Sequence, residues 1–81
     1  MRLVKVKDVT GWQGKVWLVK DTVTGKFYNV SRNRTFDRGD ETMIFASGAD
    51  GETTDWTDLY AGYGESHEEA IAEFSRELAR T

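Results

Sequence analysis

The chain has 81 residues and no cysteine, so it forms a single domain, residues 1–81, without disulfides or thiolate metal sites. Packing must stabilise so small a fold, and three Trp, three Tyr and four Phe supply the apolar bulk. The net charge of −3 is atypical of dedicated nucleic-acid-binding proteins, which are usually basic.

Three strands are predicted in the first half of the chain. Residues 3–9 alternate apolar and charged side chains, which is the period of a half-buried strand. Residues 10–14 predict a turn that carries Trp12. Residues 15–31 predict a β-hairpin, because two segments rich in β-branched and aromatic residues flank a short loop that ends at Gly25. The first strand of this hairpin is apolar on both faces, which indicates a central strand with an element packed on one side.

The next segments alternate between polar connections and short apolar runs. Residues 32–40 are polar and basic and predict a loop. Residues 41–47 predict a strand, and Asp50-Gly51 predicts the hairpin turn after it. In residues 55–64 the first half is interpreted as a short strand or extended segment, and the glycines that follow are interpreted as a break before a helix.

The C-terminal helix has the strongest local pattern. Ser66 and Glu69 have the spacing of a capping box, in which each side chain bonds the backbone amide of the other residue. Apolar residues recur at helical spacing and form one stripe, made of Ala70, Ile71, Phe74 and Leu78. The elements together predict an α+β fold: an antiparallel sheet of four to five strands with one C-terminal helix packed on one face.

His67 is the only histidine and the first candidate for catalysis. It would need a nucleophile to activate or further metal ligands, and the adjacent Glu68 and Glu69 do not share its helical face. Capping chemistry explains the same residues, so we interpret this cluster as the start of a helix. Because no nucleophile–base pair, metal set or phosphate loop can be assembled, we predict no enzyme, no catalytic residue, no metal and no cofactor.

The charge is unevenly distributed along the chain. Residues 1–40 carry nine Lys or Arg against four Asp, a net charge of +5, and residues 41–81 carry two Arg against ten Asp or Glu, a net charge of −8. One interpretation is that the two halves attract each other within one fold. The other is that the division marks a charged partner, either a nucleic acid on the basic half or a nucleic-acid-binding protein that the acidic half would engage by imitating phosphates.

Exposed aromatic and basic side chains are the candidates for contact with a partner, because aromatic and arginine residues dominate interface hot spots. Some of the aromatic residues could equally belong to the core of a chain poor in Leu and Ile. The candidate set is Trp12, Arg32, Arg34, Phe36, Arg38, Trp56, Tyr60 and Tyr63.

The residues from 41 to 71 resemble a known group of sequences. ETMIF, DGETTDW and GYGESHEEAI in this order are similar to small uncharacterised proteins of actinobacteria and their phages. The resemblance covers about two-fifths of the chain and brings no activity or catalytic residue. It implies a phage or mobile-element origin and an accessory protein that acts by binding.

Three functions follow as hypotheses. The first is a small non-enzymatic accessory protein that binds a host or phage protein. The alternatives are a nucleic-acid-binding module that uses the basic first half, and a structural or virion-associated homo-oligomer that pairs through an open sheet edge. The N-terminal segment lacks the apolar run of a signal peptide, and no stretch approaches the roughly 20 apolar residues of a membrane span, so we expect no membrane partner and a location in the cytoplasm of a bacterial host.

Overall fold

Five antiparallel strands follow one another in the sheet in the order in which they occur along the chain. The computed structural model describes residues 2–9, 14–35 and 39–80, without the side chains of residues 34 and 35. One helix packs against the sheet, so the predicted α+β architecture is confirmed. The elements are β1 (Leu3–Asp8), β2 (Val16–Asp21), β3 (Phe27–Thr35), β4 (Gly39–Ser47), β5 (Tyr60–Tyr63) and α1 (His67–Ala79).

The helix side of the sheet holds the larger core. Phe74 of α1 lies edge-on to Tyr28 of β3, with ring centroids 5.2 Å apart. The predicted capping box is confirmed, because the Glu69 amide donates to Ser66 Oγ at 3.1 Å and the Ser66 amide donates to the Glu69 carboxylate at 3.2 Å. The predicted apolar stripe of α1 meets this face of the sheet, where the buried side chains are Leu3, Val19, Tyr28, Val30, Ile44, Ala70, Ile71 and Phe74.

The opposite side of the sheet is partly covered by the segment that follows β4. A turn at residues 48–51 returns the chain so that Thr53 pairs with Ser47. The Asn29 side-chain amide in the neighbouring β3 donates to Gly51 O at 2.9 Å and to Thr53 Oγ1 at 2.8 Å. Leu18 of β2 is fully buried although it points away from the core of α1. The strand predicted to have an element packed on one side therefore lies between two layers.

The predicted turn at Asp50-Gly51 is present, and its glycine is constrained twice. Gly51 has φ +95°, a conformation that residues with a side chain rarely adopt. A Cβ atom at this position would lie 2.9 Å from Val9 Cγ1, which is closer than two carbon atoms normally approach.

We expect Gly51→Ala to lower the free energy of unfolding by about 2 kcal/mol, because the backbone strain adds to the overlap with Val9. Urea unfolding followed by tryptophan fluorescence measures the change. Gly25→Ala is the matched control, because Gly25 also has a positive φ, of +78°, but has no atom within 4 Å of the added methyl group. Equal losses in the two variants would show that the contact with Val9 contributes nothing.

Two sequence predictions about strand positions are wrong. Residues 32–40 are not one loop: β3 continues to Thr35 and β4 begins at Gly39, with Asn33 paired to Glu41. The polar side chains reflect the exposure of this end of the hairpin, and hydrogen bonding of the backbone to a neighbouring strand does not depend on apolar side chains. Residues 36–38 lie outside the described part of the chain, as do residues 10–13 of the predicted turn at 10–14.

The last strand occupies the second half of residues 55–64 instead of the first. Gly62 lies within β5 opposite Thr42, where a side chain would overlap the carboxylate of Glu65. This glycine therefore permits a close approach to the strand and does not break it. Within the described residues, no helix combines the length and the apolar character needed to cross a membrane.

Candidate protein-interaction surface

Because the strands follow one another in chain order, the basic and acidic halves of the chain lie in different parts of the sheet. Adjacent strands are consecutive in the chain, so β1 and β2 place Lys5, Lys7 and Lys20 at one edge of the sheet and β4 and β5 lie at the other. Arg32 and Arg34 lie in β3, the central strand. From Gly39 to Ser75 the chain contains no Lys or Arg and ten Asp or Glu. Charge asymmetry is therefore a property of the folded surface and not only of the sequence.

The ion pairs between described side chains do not join the two halves of the chain. Arg2 pairs with Asp21 at 2.8 Å and Arg32 pairs with Asp40 at 3.2 Å, both within residues 1–40. The third ion pair joins Arg76 and Glu73 within α1. Residues 48–53 do cross to first-half strands, but the contacts described for them are uncharged. Among the described residues, any attraction between the two halves is therefore not carried by direct ion pairs.

His67 is a buried structural side chain at the start of α1. Its Nε2–H donates to the backbone carbonyl of Lys15 at 3.1 Å, and its ring lies 4.8 Å from the ring of Trp17. Burial lowers the pKa of His67, although the bond to the carbonyl opposes this change. The side chain therefore ties the first turn of the helix to the start of β2. In the described part of the chain, no three His, Cys, Asp or Glu side chains are grouped so that they could hold a metal ion.

Trp56 is the largest exposed apolar side chain among the described residues. It is 61% exposed, yet its ring lies edge-on to the buried ring of Phe45, with centroids 5.7 Å apart. The Asp55 carboxylate accepts a hydrogen bond from the Thr57 amide at 2.9 Å, which forms a turn with Trp56 in its middle. This bond lowers the pKa of Asp55, so the carboxylate is charged at neutral pH. The indole is thus positioned on one side and accessible on the other.

Two further exposed side chains extend this surface along β5. Tyr63 is 47% exposed and Leu59 is 43% exposed. Tyr60 and Gly62 face the helix, so the alternation of the strand places Tyr63 on the other face of the sheet, to which Phe45 and Trp56 belong. The Leu59 amide donates to Ile44 O at 2.9 Å, which continues the pairing of β5 with β4. We call Trp56, Leu59 and Tyr63 the Trp56 surface.

The structure brings together only some of the side chains predicted to contact a partner. Trp56 and Tyr63 share one face of the sheet, whereas Arg32 and Tyr60 lie on the helix side. Tyr60 packs 6.2 Å from Phe74, and its hydroxyl donates to the Glu65 carboxylate at 2.7 Å, so it belongs to the helix-side packing. Burial and this hydrogen bond raise the pKa of Tyr60.

The remaining candidates are only partly described. Arg34 lies in β3 opposite Asp40, and its side chain is outside the description. Three candidates lie outside the described residues: Trp12, Phe36 and Arg38. Leu59 is not in the predicted set, because a single Leu beside Asp58 gives no periodic pattern. Its closeness to Trp56 in the sequence is the one feature that indicates a place in the same surface.

Comparison of the chain with protein-family models, with curated proteins and with solved structures finds no match. The resemblance of residues 41–71 to proteins of actinobacteria and their phages stays a prediction.

Proposed function

We propose that this protein is a small non-enzymatic accessory protein, encoded by a phage or mobile element, that binds a host or phage protein in the bacterial cytoplasm through the Trp56 surface. The observation that carries the proposal is the position of Trp56, which is 61% exposed although Phe45 and the Asp55 turn fix it. An apolar side chain of this size is buried when a folded chain has a use for it in its own core. Its exposure beside Leu59 and Tyr63 is typical of a contact surface.

The local structure around Trp56 also favours tight binding. Tryptophan is enriched among the few interface residues that contribute most of the binding free energy. Association is weakened when side chains and loops must become ordered at the interface. Here the edge-on contact with Phe45 and the hydrogen bond from Thr57 to Asp55 hold the indole before a partner arrives.

The basic edge of the sheet, formed by β1 and β2, is less suited to binding nucleic acid than the Trp56 surface is to binding a protein. Bases stack on exposed aromatic faces in proteins that bind single strands. Among the described residues, Trp17 and Phe27 are the aromatic residues beside lysines. The Trp17 ring already contacts Lys5, whose Nζ lies 4.1 Å from the ring centroid, and the ring of His67 at 4.8 Å, and the Phe27 ring has Lys20 Nζ 5.7 Å from its centroid. A base would have to displace one of these side chains.

The edges of the sheet are poorly suited to pairing with another strand. β1 has a register shift between Lys5 and Lys7, and both bulges and edge lysines discourage the addition of a strand. β5 has four residues, so it offers few backbone groups to a partner. A homo-oligomer that assembles through a sheet edge is therefore less favoured than binding through side chains.

The proposal predicts that Trp56→Ala weakens binding of the partner by about tenfold or more. Partners captured from a bacterial host by the tagged full chain would be identified by mass spectrometry and purified, and their affinity would be measured by calorimetry. Val23→Ala is the matched control, because Val23 is an exposed apolar side chain in the turn between β2 and β3. A purified partner that binds the Trp56→Ala variant as tightly as the Val23→Ala variant would contradict the proposal.

A further inference from the structure

The Trp56 surface is surrounded by carboxylates of its own chain. Asp55 and Asp58 lie beside Trp56 in sequence and both are exposed. At the other end of the surface, Glu41 of β4 is the cross-strand neighbour of Tyr63. Side chains at such positions have Cβ atoms about 5 Å apart, so Glu41 and Tyr63 are neighbours on the same face of the sheet.

Within the described part of the chain, the cation–ring contacts involve Trp17 and Phe27 and not Trp56. The segment that supplies every residue of the surface contains no Lys or Arg between Gly39 and Ser75. On the neighbouring β3, Asn33 is paired with Glu41 and lies on this face, whereas Arg32 is on the helix side, where it pairs with Asp40. Among the described residues, neither Asp55 nor Asp58 forms an ion pair with a Lys or Arg side chain.

An exposed indole among carboxylates is suited to a guanidinium group. Tryptophan is the side chain that binds cations best on its ring face, and arginine both stacks on the ring and pairs with a nearby carboxylate. The fold already contains this contact between an indole and a cation, since Lys5 Nζ lies 4.1 Å from the ring centroid of Trp17. Trp17 receives a cation from its own chain, whereas no such contact is found for Trp56 in residues 2–9, 14–33 and 39–80.

We propose that the partner segment that docks on the Trp56 surface is cationic and inserts an arginine, whose guanidinium lies on the Trp56 ring and pairs with Asp55 or Asp58. This inference rests on the proposed function, since it names the chemistry of the partner at the same surface. A nucleic acid would be repelled by these carboxylates, so the partner is a protein.

The test uses the isotopically labelled full chain and follows the indole N–H resonances of its three tryptophans by NMR. Trp56→Phe assigns the resonance of Trp56. The probe is a glycine-spaced arginine peptide, and the reference is the same peptide with citrulline, which keeps the shape and lacks the charge. We expect the arginine peptide to shift the Trp56 resonance saturably and the citrulline peptide to leave it unchanged, with weaker binding as salt is raised.

Two pairs of variants locate the charge that matters. Asp55→Asn combined with Asp58→Asn is expected to weaken binding of the arginine peptide about fivefold or more. The fold of the turn is kept, because the side-chain amide oxygen introduced by Asp55→Asn can still accept the bond from Thr57. Glu68→Gln combined with Glu77→Gln removes the same charge from exposed positions of α1 and is expected to change the affinity by less than about twofold.

Several results would overturn the inference. These are an equal shift with the citrulline peptide, an equal loss in the two double variants, and saturable binding of an oligothymidine at Trp56. Binding measurements with the purified partner distinguish a failure of this inference from a failure of the proposed function. Binding that depends on Trp56 but not on Asp55 and Asp58 would refute the cationic segment and leave the function standing, whereas indifference to Trp56 would refute the function.

Discussion

Replacement of Asp21 by alanine is expected to lower the free energy of unfolding by about 3 kcal/mol, because it leaves a partly buried arginine without its partner. Asp21 is fully buried at the end of β2. Arg2 donates from Nε to one carboxylate oxygen and from Nη2 to the other, both at 2.8 Å. Such a bidentate pair fixes both side chains and is stronger than a single charged hydrogen bond.

The same carboxylate also organises the turn between β2 and β3. The Val23 amide and the Thr24 hydroxyl each donate to it at 2.9 Å. The loss of Asp21 therefore removes the ion pair between the N-terminal segment and this turn, although the amide and the hydroxyl of Thr22 still donate to Arg2 O at 3.0 and 2.8 Å. Val23 and Thr24 are exposed, so water can replace the carboxylate at their donors, and the largest loss is that of the ion pair with the partly buried Arg2 guanidinium.

The matched control for this prediction is Asp50→Ala. The Asp50 carboxylate also accepts an amide two residues later, that of Glu52 at 2.9 Å, but Asp50 is exposed. Its replacement is expected to lower the free energy of unfolding by less than about 1 kcal/mol. Urea unfolding at neutral pH measures both values. A loss at Asp21 no larger than that at Asp50 would show that the buried pair is not a principal source of stability.

The contribution of Asp21 depends on pH in a predictable direction. The hydrogen bonds from Arg2, together with those from the turn, hold the pKa of Asp21 well below its usual range. Since the pKa is lower in the folded state than the unfolded value of about 4, the stabilisation is complete above that pH and is lost as pH falls toward the folded-state pKa. The difference in unfolding free energy between the wild-type protein and Asp21→Asn is therefore expected to shrink between about pH 5 and pH 2. A difference that stays constant over this range would contradict the assignment.

Replacement of Phe74 by alanine is expected to lower the free energy of unfolding by about 3–5 kcal/mol. Phe74 is buried where α1 meets the sheet, and its ring contacts Tyr28 at 5.2 Å and Tyr60 at 6.2 Å between centroids. Truncation loses the transfer free energy of the ring, leaves a cavity and removes two aromatic contacts. In a domain of this size, the midpoint of thermal unfolding is expected to fall by about 15 °C or more.

The helix also offers matched controls for Phe74. Phe74→Leu keeps most of the apolar volume and is expected to lose about 1 kcal/mol. Leu78→Ala removes a half-buried side chain one turn later. Its loss of unfolding free energy is expected to lie between those of Phe74→Leu and Phe74→Ala. Thermal unfolding followed by circular dichroism ranks the three variants. If Phe74→Ala proved no worse than Leu78→Ala, the core of the protein would lie elsewhere than between α1 and β3.

Local sequence patterns were sufficient to predict the elements that are stabilised by nearby residues. The capping box of Ser66 and Glu69 and the apolar stripe of α1 require only residues within a few positions of one another, so their spacing predicted the helix correctly. The alternation in residues 3–9 and the paired segments of residues 15–31 similarly predicted strands and their hairpin. The fold class followed, because a sheet with an apolar face and one amphipathic helix have few ways to bury both surfaces.

Other features depend on contacts between residues that are far apart in the chain, and local patterns do not predict them. Asn33 is part of a strand because Glu41 pairs with it, and a polar sequence gives no sign of that partner. His67 is buried because Lys15, 52 positions earlier, supplies a carbonyl for its ring nitrogen. Likewise, aromatic residues are equally apolar in the sequence, and the packing of the sheet alone separates Tyr60, which the helix covers, from the exposed Trp56. Local sequence patterns specify helices and strands, whereas the burial of a side chain depends on which distant parts of the chain pack against it.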